Sequence, residues 1–303
     1  MRTALITGAC GFIGRNLIQE LSSHGYATVA IDRGENDPFR DLADTDYISC
    51  DLTSKSCADI HIPRQCDVLY HLAWIGVSPE TRSDVDMQLK NVDACVNAIR
   101  IAEKNGIKDV VFIGSTLEYC YNGTPISETS LPTPANVYGS TKVATRFLCE
   151  QMCVSASINF KYAVITSIYG AGRDDNSVIS YCIKSLLSGI SPDLSKSTQI
   201  WDFVHISDAV KALRLIGETD DKNAFYSVGT GENKPLKYYI EILKELISPD
   251  TKINYGVKPY QNGKIPSSAI DLSALSEKTG YTPKYKFAEG IKEVVSYYKS
   301  LSK

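Results

Sequence analysis

The chain has 303 residues, of which 43% are hydrophobic and 22% charged, and its formal net charge is −3. This length suits one large α/β domain with a smaller lobe. The net charge and the absence of a run of basic residues do not indicate nucleic-acid binding. The apolar runs are too short to cross a membrane. Nine scattered cysteines without a C-x-x-C pair, in a chain that opens directly into a strand, predict a cytoplasmic protein with free thiols and no metal site.

The first predicted unit joins a strand to a helix through a glycine-rich turn. Apolar residues 4–6 are followed by Gly8, Gly11 and Gly14, and then by helical periodicity. Such a turn aims free backbone N–H groups and the helix dipole at one point, which suits a pyrophosphate. We assign Gly8 to the turn, Gly11 to the close approach of the phosphates and Gly14 to helix packing. The glycines alone are also compatible with an ordinary turn and helix cap.

The next two predicted strands end in acidic residues. Residues 28–31 lead to Asp32, whose carboxylate accepts hydrogen bonds from a ribose 2′-OH and repels a 2′-phosphate, so it favours NAD over NADP. Arg33 leaves NADP as an alternative cofactor, because its side chain either stacks on the adenine or binds the 2′-phosphate of NADP. Residues 47–50 lead to Asp51, which either lies by the adenine amino group or caps a helix.

A buried strand and a long helix follow. Residues 68–73 are almost continuously apolar, as in a strand buried on both faces, and we interpret His71 as a core histidine. Over residues 84–104 a helical stripe is predicted to face the core, and a second apolar strip predicts a subunit contact. The stripe predicted to face the core consists of Val85, Leu89, Val92, Val96 and Ile99. The second apolar strip consists of Ala94, Ala98 and Ile101.

The candidate chemistry lies in Ser115, Tyr138 and Lys142. Ser115 ends a strand over residues 109–115, at the edge of the sheet where ligands collect. Tyr138 and Lys142 are four residues apart on a helix and share a face. The ordinary pKa of a phenol is about three units too high for a base at neutral pH. The Lys142 ammonium and an oxidised nicotinamide favour the phenolate, so Tyr138 exchanges a proton while Ser115 orients the substrate oxygen.

The last third of the chain predicts a smaller lobe without a catalytic group. Helices are expected over residues 177–187, after an N-cap at Ser207, and from Pro235 to Leu246, with a strand over residues 226–229. The last helix carries Ile291, Val294, Val295 and Tyr298.

These motifs together resemble the extended short-chain dehydrogenases/reductases of the nucleotide-sugar epimerase/dehydratase family. The resemblance runs nearly from end to end. The residues that carry it are Thr7-Gly8-Ala9-Cys10-Gly11-Phe12-Ile13-Gly14, Asp32, Asp51-Leu52, His71-Leu72-Ala73, Asn91, Ser115 with Tyr119, Tyr138 with Lys142, Ile168-Tyr169-Gly170 and Asp202-Phe203-Val204-His205-Ile206.

The resemblance implies an α/β fold, with a Rossmann-type doubly wound parallel sheet that binds NAD(P). This domain spans residues 1–170 with a returning segment at 203–230. A smaller lobe, residues 171–202 and 231–303, holds a nucleoside-diphosphate sugar. Hydride transfer at C4 of the sugar and a homodimer built on helices 84–104 and 137–153 are also implied. The implied cofactor contacts, besides Tyr138 and Lys142, are Gly8, Gly11, Phe12, Ile13, Gly14, Asp32, Arg33, Asp51, Leu52, Leu72, Ala73 and Asn91.

The chain departs from the family pattern after Ser115. Family dehydratases carry an Asp-Glu pair where this chain has Thr116 and Leu117, which cannot act as general acid and base. The 4,6-dehydratase reaction is therefore disfavoured. Glu118, one position further, either meets a sugar hydroxyl or is solvated.

The chain also lacks arginines that the family pattern places near the substrate. Val164 and Ser167 replace an Arg and an Asn, and Trp201 replaces an Arg. Arginine is the side chain best suited to clamping a diphosphate, so Arg173 is the candidate replacement. Trp201 either offers an aromatic face to the base or sugar or packs in the core. The predicted substrate contacts are Thr116, Glu118, Ser167, Arg173 and Trp201.

Three functions compete. The favoured one is an NAD-dependent nucleotide-sugar 4-epimerase, in which hydride leaves C4 and returns to the other face. The second is an NAD(P)H-dependent 4-ketoreductase acting on a nucleotide-linked 4-keto-6-deoxyhexose, because the same three residues serve both reactions. The third, a dinucleotide-sensing protein without catalysis, is disfavoured because a sensor needs only the first lobe.

Overall fold

The computed structural model describes residues 1–54, 57, 59–120, 124–173, 177–259 and 268–301. The strands are, in chain order, β1 (Thr3–Thr7), β2 (Ala27–Asp32), β3 (Thr45–Ser49), β4 (Val68–His71), β5 (Asp109–Ser115), β6 (Asn159–Ile165), β7 (Ser167–Tyr169), β8 (Ile200–Trp201), β9 (Phe203–His205), β10 (Ala224–Val228) and β11 (Lys234–Pro235). The helices are α1 (Phe12–Ser23), α2 (Val85–Lys104), α3 (Val137–Ser155), α4 (Val178–Leu187), α5 (Ile206–Glu218), α6 (Leu236–Ile247), α7 (Ser273–Thr279) and α8 (Phe287–Leu301).

The main sheet has seven parallel strands in the order β10-β6-β5-β4-β1-β2-β3. The chain moves outward from β1 through β3 and then resumes with β4 on the other side of β1. The carboxyl ends of β1 and β4 therefore border the point where the winding reverses, which is where doubly wound sheets bind ligands. The predicted doubly wound α/β fold is confirmed.

Helices cover both faces of the sheet. One apolar layer includes side chains of α1, α5 and α7, and the other includes side chains of α2 and α3. Every residue of β4 is buried, as expected for a strand covered on both faces. A third apolar cluster joins α4, α6 and α8 to β9, and it forms a separate core outside the main sheet.

The first part of the long apolar stripe on helix α2 is exposed, whereas Ile99 near its end is buried. Val85 and Leu89 are 53% and 56% exposed, whereas Ala94, Ala98 and Ile101 are buried. Small side chains on the inner face let the helix approach the sheet closely, so the start of the bulkier stripe is left outside. The prediction of a core-facing stripe is wrong for the start of this helix.

The predictions for the start of α5 and for His71 have different outcomes. Helix α5 is capped by His205, whose side chain accepts from the Ser207 backbone N–H, so the prediction that Ser207 caps it is wrong. His71 is buried, as predicted, and its Nδ1 lies 2.8 Å from the Thr7 hydroxyl.

All nine cysteines are free thiols, as predicted. Among the residues that the structure describes, no cluster of His, Cys, Asp or Glu could hold a metal ion. A search of the same residues finds no helix with the length and apolar character needed to span a membrane.

Candidate active site

The turn between β1 and α1 depends on glycine at two positions. Gly8 has φ +70°, and a Cβ there would lie 2.7 Å from the backbone nitrogen of Ala73, which follows β4. A Cβ on Gly14 would lie 2.4 Å from the carbonyl oxygen of Gly8. These distances confirm the assignment of Gly8 to the turn and of Gly14 to helix packing.

The same turn fits a dinucleotide. The N-cap of α1 is Gly11, which offers no side-chain cap, and the first helical turn has no acidic residue. The first N–H groups of the helix and the positive end of its dipole are thus available to a negatively charged group such as a pyrophosphate. Phe12 and Ile13 are half-buried at this end of the helix. The close approach of phosphates at Gly11 stays a prediction.

Asp32 lies at the edge of this turn. One oxygen of its carboxylate accepts from the Cys10 backbone N–H and the other from the Arg33 backbone N–H, both at 2.8 Å. The carboxylate is half-buried beside the glycine turn, and the Arg33 side chain is exposed. A contact of either residue with the ribose or its phosphate stays a prediction.

Asp32→Asn is expected to shift the preference between NAD and NADP. Asparagine still accepts from Cys10 but removes the negative charge that repels a 2′-phosphate, so the ratio of NADP to NAD affinity should rise about tenfold. Calorimetric titration of both cofactors measures the ratio. Asp51→Asn is the matched control, since its exposed carboxylate bonds Thr53 in its own turn. An unchanged ratio in Asp32→Asn would remove Asp32 from cofactor selection.

The other residues that the resemblance assigns to the cofactor lie in different surroundings: a turn, the core and the carboxyl end of β4. Asp51 accepts from both the backbone and the hydroxyl of Thr53, so it caps a turn, and Leu52 is buried in the core. Leu72 and Ala73 are half-buried at the carboxyl end of β4, next to Gly8.

Asn91 does not present its amide to the cofactor. Its side chain is 1% exposed, accepts from the Ile75 backbone N–H at 2.8 Å and donates to the Ile75 carbonyl at 3.0 Å. The implied direct contact is therefore wrong. Asn91 instead holds the loop after β4 in place, because both ends of its amide bind that loop.

Ser115, Tyr138 and Lys142 come together at the carboxyl end of β5. Asn136 caps α3, which places Tyr138 and Lys142 in its first two turns. The Ser115 hydroxyl is close enough to the Tyr138 phenol to lower its pKa, and the Lys142 ammonium lies 5.6 Å from the Tyr138 ring centre. Lys142 also donates to the Ile113 carbonyl at 3.0 Å. Tyr138 and Lys142 are 8% and 5% exposed, so a substrate oxygen at this point would be largely shielded from water.

The electrostatics of the phenol differ from the sequence-based expectation. Burial raises the pKa of Tyr138, the nearby Ser115 hydroxyl and Arg82 lower it, and Glu118 raises it. The nearby cation that lowers this pKa is thus Arg82, whose guanidinium lies 5.7 Å from the ring centre, and not Lys142. Burial of the whole site outweighs these contacts, and this is a correction to the predicted role of Lys142.

Burial also lowers the pKa of Lys142 to about 8, although Glu118 and Cys95 raise it. The group is charged below this pH and neutral above it. If the ammonium is required, kcat/KM should fall about tenfold for each pH unit well above 8. A pH profile of kcat/KM between 6 and about 10 checks this. A flat profile across this range would contradict a required Lys142 charge.

Sequence reasoning missed two residues that touch the candidate catalytic groups. The Lys142 ammonium lies 3.7 Å from the centre of the Trp74 ring, and the Trp74 and Tyr138 rings meet edge to face at 5.7 Å. The Arg82 backbone carbonyl accepts from the Tyr138 backbone N–H, and the Arg82 guanidinium lies 5.7 Å from the Tyr138 ring centre. The available signal was position, because Trp74 follows His71-Leu72-Ala73 directly and so leaves β4 at its carboxyl end.

The residues that follow Ser115 are buried. Thr116 is 7% exposed, and its contact with substrate stays a prediction. Glu118 is 0% exposed, and its two oxygens accept from the Ser115 backbone N–H and the Tyr162 hydroxyl. Both predictions for Glu118, a sugar contact and a solvated side chain, are wrong, because the Tyr162 hydroxyl on β6 and the Ser115 N–H hold its carboxylate in the interior.

The other predicted substrate residues lie on the side of the smaller lobe. The Trp201 ring nitrogen donates to the Ser167 hydroxyl at 2.7 Å, so the structure brings these two half-buried residues together. The Arg173 guanidinium lies 5.8 Å from the Phe12 ring centre and donates to the Ile168 carbonyl. Arg173 therefore faces the start of α1, where the pyrophosphate of a dinucleotide is expected.

Comparison with known proteins identifies the family. The model of the NAD dependent epimerase/dehydratase family matches residues 4–229. This chain belongs to that family. The match confirms the predicted family, an enzyme of the extended short-chain dehydrogenase/reductase type, and NAD as its cofactor.

Individual relatives are distant but match over full length. A UDP-glucose 4-epimerase of Mycolicibacterium smegmatis is 25% identical, with 100% of both chains covered. A dTDP-4-dehydro-6-deoxyglucose reductase of Escherichia coli is 25% identical, with 96% of both covered. The structure of MoeE5 in complex with UDP-glucose and NAD superposes with a TM-score of 0.87 at 26% identity, covering 99% of this chain and 100% of MoeE5.

Proposed function

We propose that the chain is an NAD-dependent nucleotide-sugar 4-epimerase. The observation that carries this proposal is the meeting of three groups at the carboxyl end of β5: the Ser115 hydroxyl acts on the buried Tyr138 phenol, and the Lys142 ammonium lies 5.6 Å from the Tyr138 ring centre. This is the point to which the glycine turn after β1 would direct a nicotinamide. Full-length similarity to a UDP-glucose 4-epimerase supports the same reaction.

Each of the three residues has one role in this proposal. NAD, when bound, supplies reversible hydride transfer at C4 of the sugar. Tyr138 takes the proton of the C4 hydroxyl and later returns it, and Ser115 holds the substrate oxygen next to the phenol. Lys142 binds the ribose hydroxyls of the cofactor, while Arg82 is the cation that favours the phenolate.

The substrate is a nucleoside-diphosphate sugar bound between the glycine turn and the smaller lobe. Because Trp201 and Ser167 stand where the family pattern has an arginine and an asparagine, we assign diphosphate binding to Arg173. Its guanidinium already lies against Phe12 at the start of α1. Trp201, linked to Ser167, offers a ring to the base or the sugar. The complex of MoeE5 with UDP-glucose supports this substrate class.

A 4-ketoreductase is the second candidate. The specific observation in its favour is the full-length similarity to a dTDP-4-dehydro-6-deoxyglucose reductase. The same phenol and hydroxyl would protonate the C4 oxygen once, and the oxidised cofactor would then leave. Thr116 and Leu117, in place of the dehydratase acid and base, supply no acid or base to either reaction.

Nucleotide content and turnover separate these candidates. The purified protein is denatured and the released nucleotide is measured, and the protein is assayed on a panel of hydroxy and 4-keto nucleotide sugars. Stoichiometric NAD and interconversion of C4 epimers are expected. A site that fills only with added NADPH, with a 4-keto sugar reduced once, would overturn the epimerase in favour of the reductase.

We also propose the lobe boundaries, the homodimer and the cytoplasmic location predicted above. The boundaries follow β10, which returns to β6 in the main sheet, and the separate core of α4, α6 and α8. Exposed apolar residues on α2 and α3, among them Leu89 and Phe147, support the dimer, and the free thiols support the location. Light scattering of the wild-type protein and of Leu89→Lys tests the dimer, which the substitution should weaken.

A further inference from the structure

Trp74 lies in the loop between β4 and α2, beside the candidate catalytic residues. The centre of its ring is 3.7 Å from the Lys142 ammonium, whereas the centre of the Tyr138 ring is 5.6 Å from the same nitrogen. The Trp74 and Tyr138 rings meet edge to face, with centres 5.7 Å apart and planes at 71°. The ammonium therefore lies in a corner between two aromatic rings, and it is closer to the indole.

The indole is a suitable partner for a buried ammonium. Lys142 is buried, and this burial lowers its pKa to about 8, so the site disfavours the charged form. The face of an aromatic ring carries negative charge density, and tryptophan attracts a cation more strongly than tyrosine or phenylalanine does. Because this attraction grows when water is excluded, the Trp74 ring offsets part of the effect of burial on Lys142.

The Trp74 ring is fixed from α2. Its ring nitrogen donates to Oε1 of Gln88 at 3.0 Å, and the Gln88 amide nitrogen donates to the Gly76 carbonyl at 2.8 Å. The Gln88 side chain is buried, so water does not compete for these bonds. Because both ends of the amide are bound, the indole N–H has a fixed acceptor and the ring keeps its face towards Lys142.

The indole also determines where the ammonium points. An ammonium has three N–H donors, and the Ile113 carbonyl accepts from that of Lys142 at 3.0 Å. The Trp74 ring lies against the same nitrogen as a second partner. Two fixed partners set the direction of the remaining N–H, which the proposed function assigns to the ribose hydroxyls of the cofactor.

We propose that Trp74 is a positioning residue whose ring holds the Lys142 ammonium by a cation–π contact. The ring does not react; it stabilises the charged lysine and directs it towards the cofactor. The catalytic consequence rests on the proposed function, since that function assigns Lys142 to cofactor binding. The contact between the ring and the ammonium does not depend on the reaction.

Other groups around Lys142 have to stay constant in any test of this contact. The titratable and charged groups are Tyr138 on α3, Arg82 beside the Tyr138 ring, Glu118 after β5, Cys95 on α2 and, 3.3 Å from the Cys95 sulfur, Nε2 of His71 on β4. A smaller residue in place of Trp74 would admit water and change the burial of these groups. The decisive test therefore changes the charge distribution of the ring and keeps its shape.

Fluorinated tryptophan meets this requirement, because each fluorine withdraws electron density from the ring face. The chain has two tryptophans, and both are replaced biosynthetically by mono-, di- and trifluorotryptophan in the full-length protein. Nitrogen-15 NMR of lysine-labelled protein, with the Lys142 signal assigned by Lys142→Met, follows the ammonium. Its titration midpoint should move to lower pH with each fluorine, by about one pH unit in total. A midpoint independent of fluorination would overturn the proposal.

Trp74→Phe, labelled at Trp201 alone, is the matched control. Its Lys142 midpoint, wherever it lies, should not depend on the number of fluorines, because the Trp201 ring is linked to Ser167 instead. A dependence equal to that of the doubly labelled protein would assign the effect to Trp201 and overturn the proposal. If Trp74→Phe does not fold, Trp201→Phe labelled at Trp74 alone should show the whole stepwise shift, and its absence would overturn the proposal.

The alkaline limb of the kcat/KM profile should move together with this midpoint. A limb that stays while the midpoint moves would overturn the positioning role, because the charge held by Trp74 would not be one that the reaction needs. If the wild-type protein turns over no nucleotide sugar, the proposed function fails, while the NMR titration still decides whether Trp74 holds the ammonium.

Discussion

Tyr138→Phe is expected to lower turnover of the nucleotide sugar by about a hundredfold to ten-thousandfold, the usual contribution of a positioned acid–base group. The substitution removes the phenol hydroxyl beside Ser115 and leaves the ring against Trp74. NAD should stay bound, because the glycine turn is untouched. Steady-state assays and the nucleotide released on denaturation measure both effects.

Tyr70→Phe is the matched control for this prediction. It removes a buried phenol oxygen from the neighbouring strand β4, and that oxygen has no hydrogen-bond partner among the described residues. Turnover in Tyr70→Phe should stay close to that of the wild-type protein. Turnover in Tyr138→Phe within about tenfold of the wild-type rate would show that another group exchanges the proton. In that case the proposed reaction would need a different acid–base residue.

Gly14→Ala is expected to weaken NAD binding about tenfold to a hundredfold, since overpacking costs about 1–3 kcal/mol and 1.4 kcal/mol corresponds to tenfold in affinity. The added Cβ would lie 2.4 Å from the Gly8 carbonyl oxygen and 2.6 Å from that of Ala9. Both are backbone atoms, so the turn itself has to move. Calorimetric titration with NAD measures the loss.

Gly25→Ala separates this effect from a general loss of stability. Gly25 follows α1 and has φ +76°, but no heavy atom lies within 4 Å of an added Cβ. This substitution strains the backbone without moving the glycine turn, so thermal stability should fall while NAD affinity is retained. Equal affinities in Gly14→Ala and wild-type protein would mean that the turn accommodates the methyl group and does not set the position of the cofactor.

Features that depend on neighbours in the chain could be predicted from the sequence. A strand, three spaced glycines and a helix form one local unit, and the backbone geometry of Gly8 follows from that spacing. Tyr138 and Lys142 share a helix face because they are four residues apart. Ser115 reaches them because the carboxyl ends of parallel strands share one edge of the sheet. The local pattern thus determined the fold class and the candidate catalytic residues.

Tertiary packing decided which side of a helix faces the core. It also decided which polar and charged side chains contact each other. The start of the apolar stripe of α2, at Val85 and Leu89, is exposed because small residues elsewhere on the helix fit the sheet more closely. Glu118 is buried because Tyr162, 44 positions further along the chain, offers it a hydrogen bond. Asn91 binds the loop after β4 instead of a cofactor. Such contacts join distant segments, and periodicity along one segment carries no information about them.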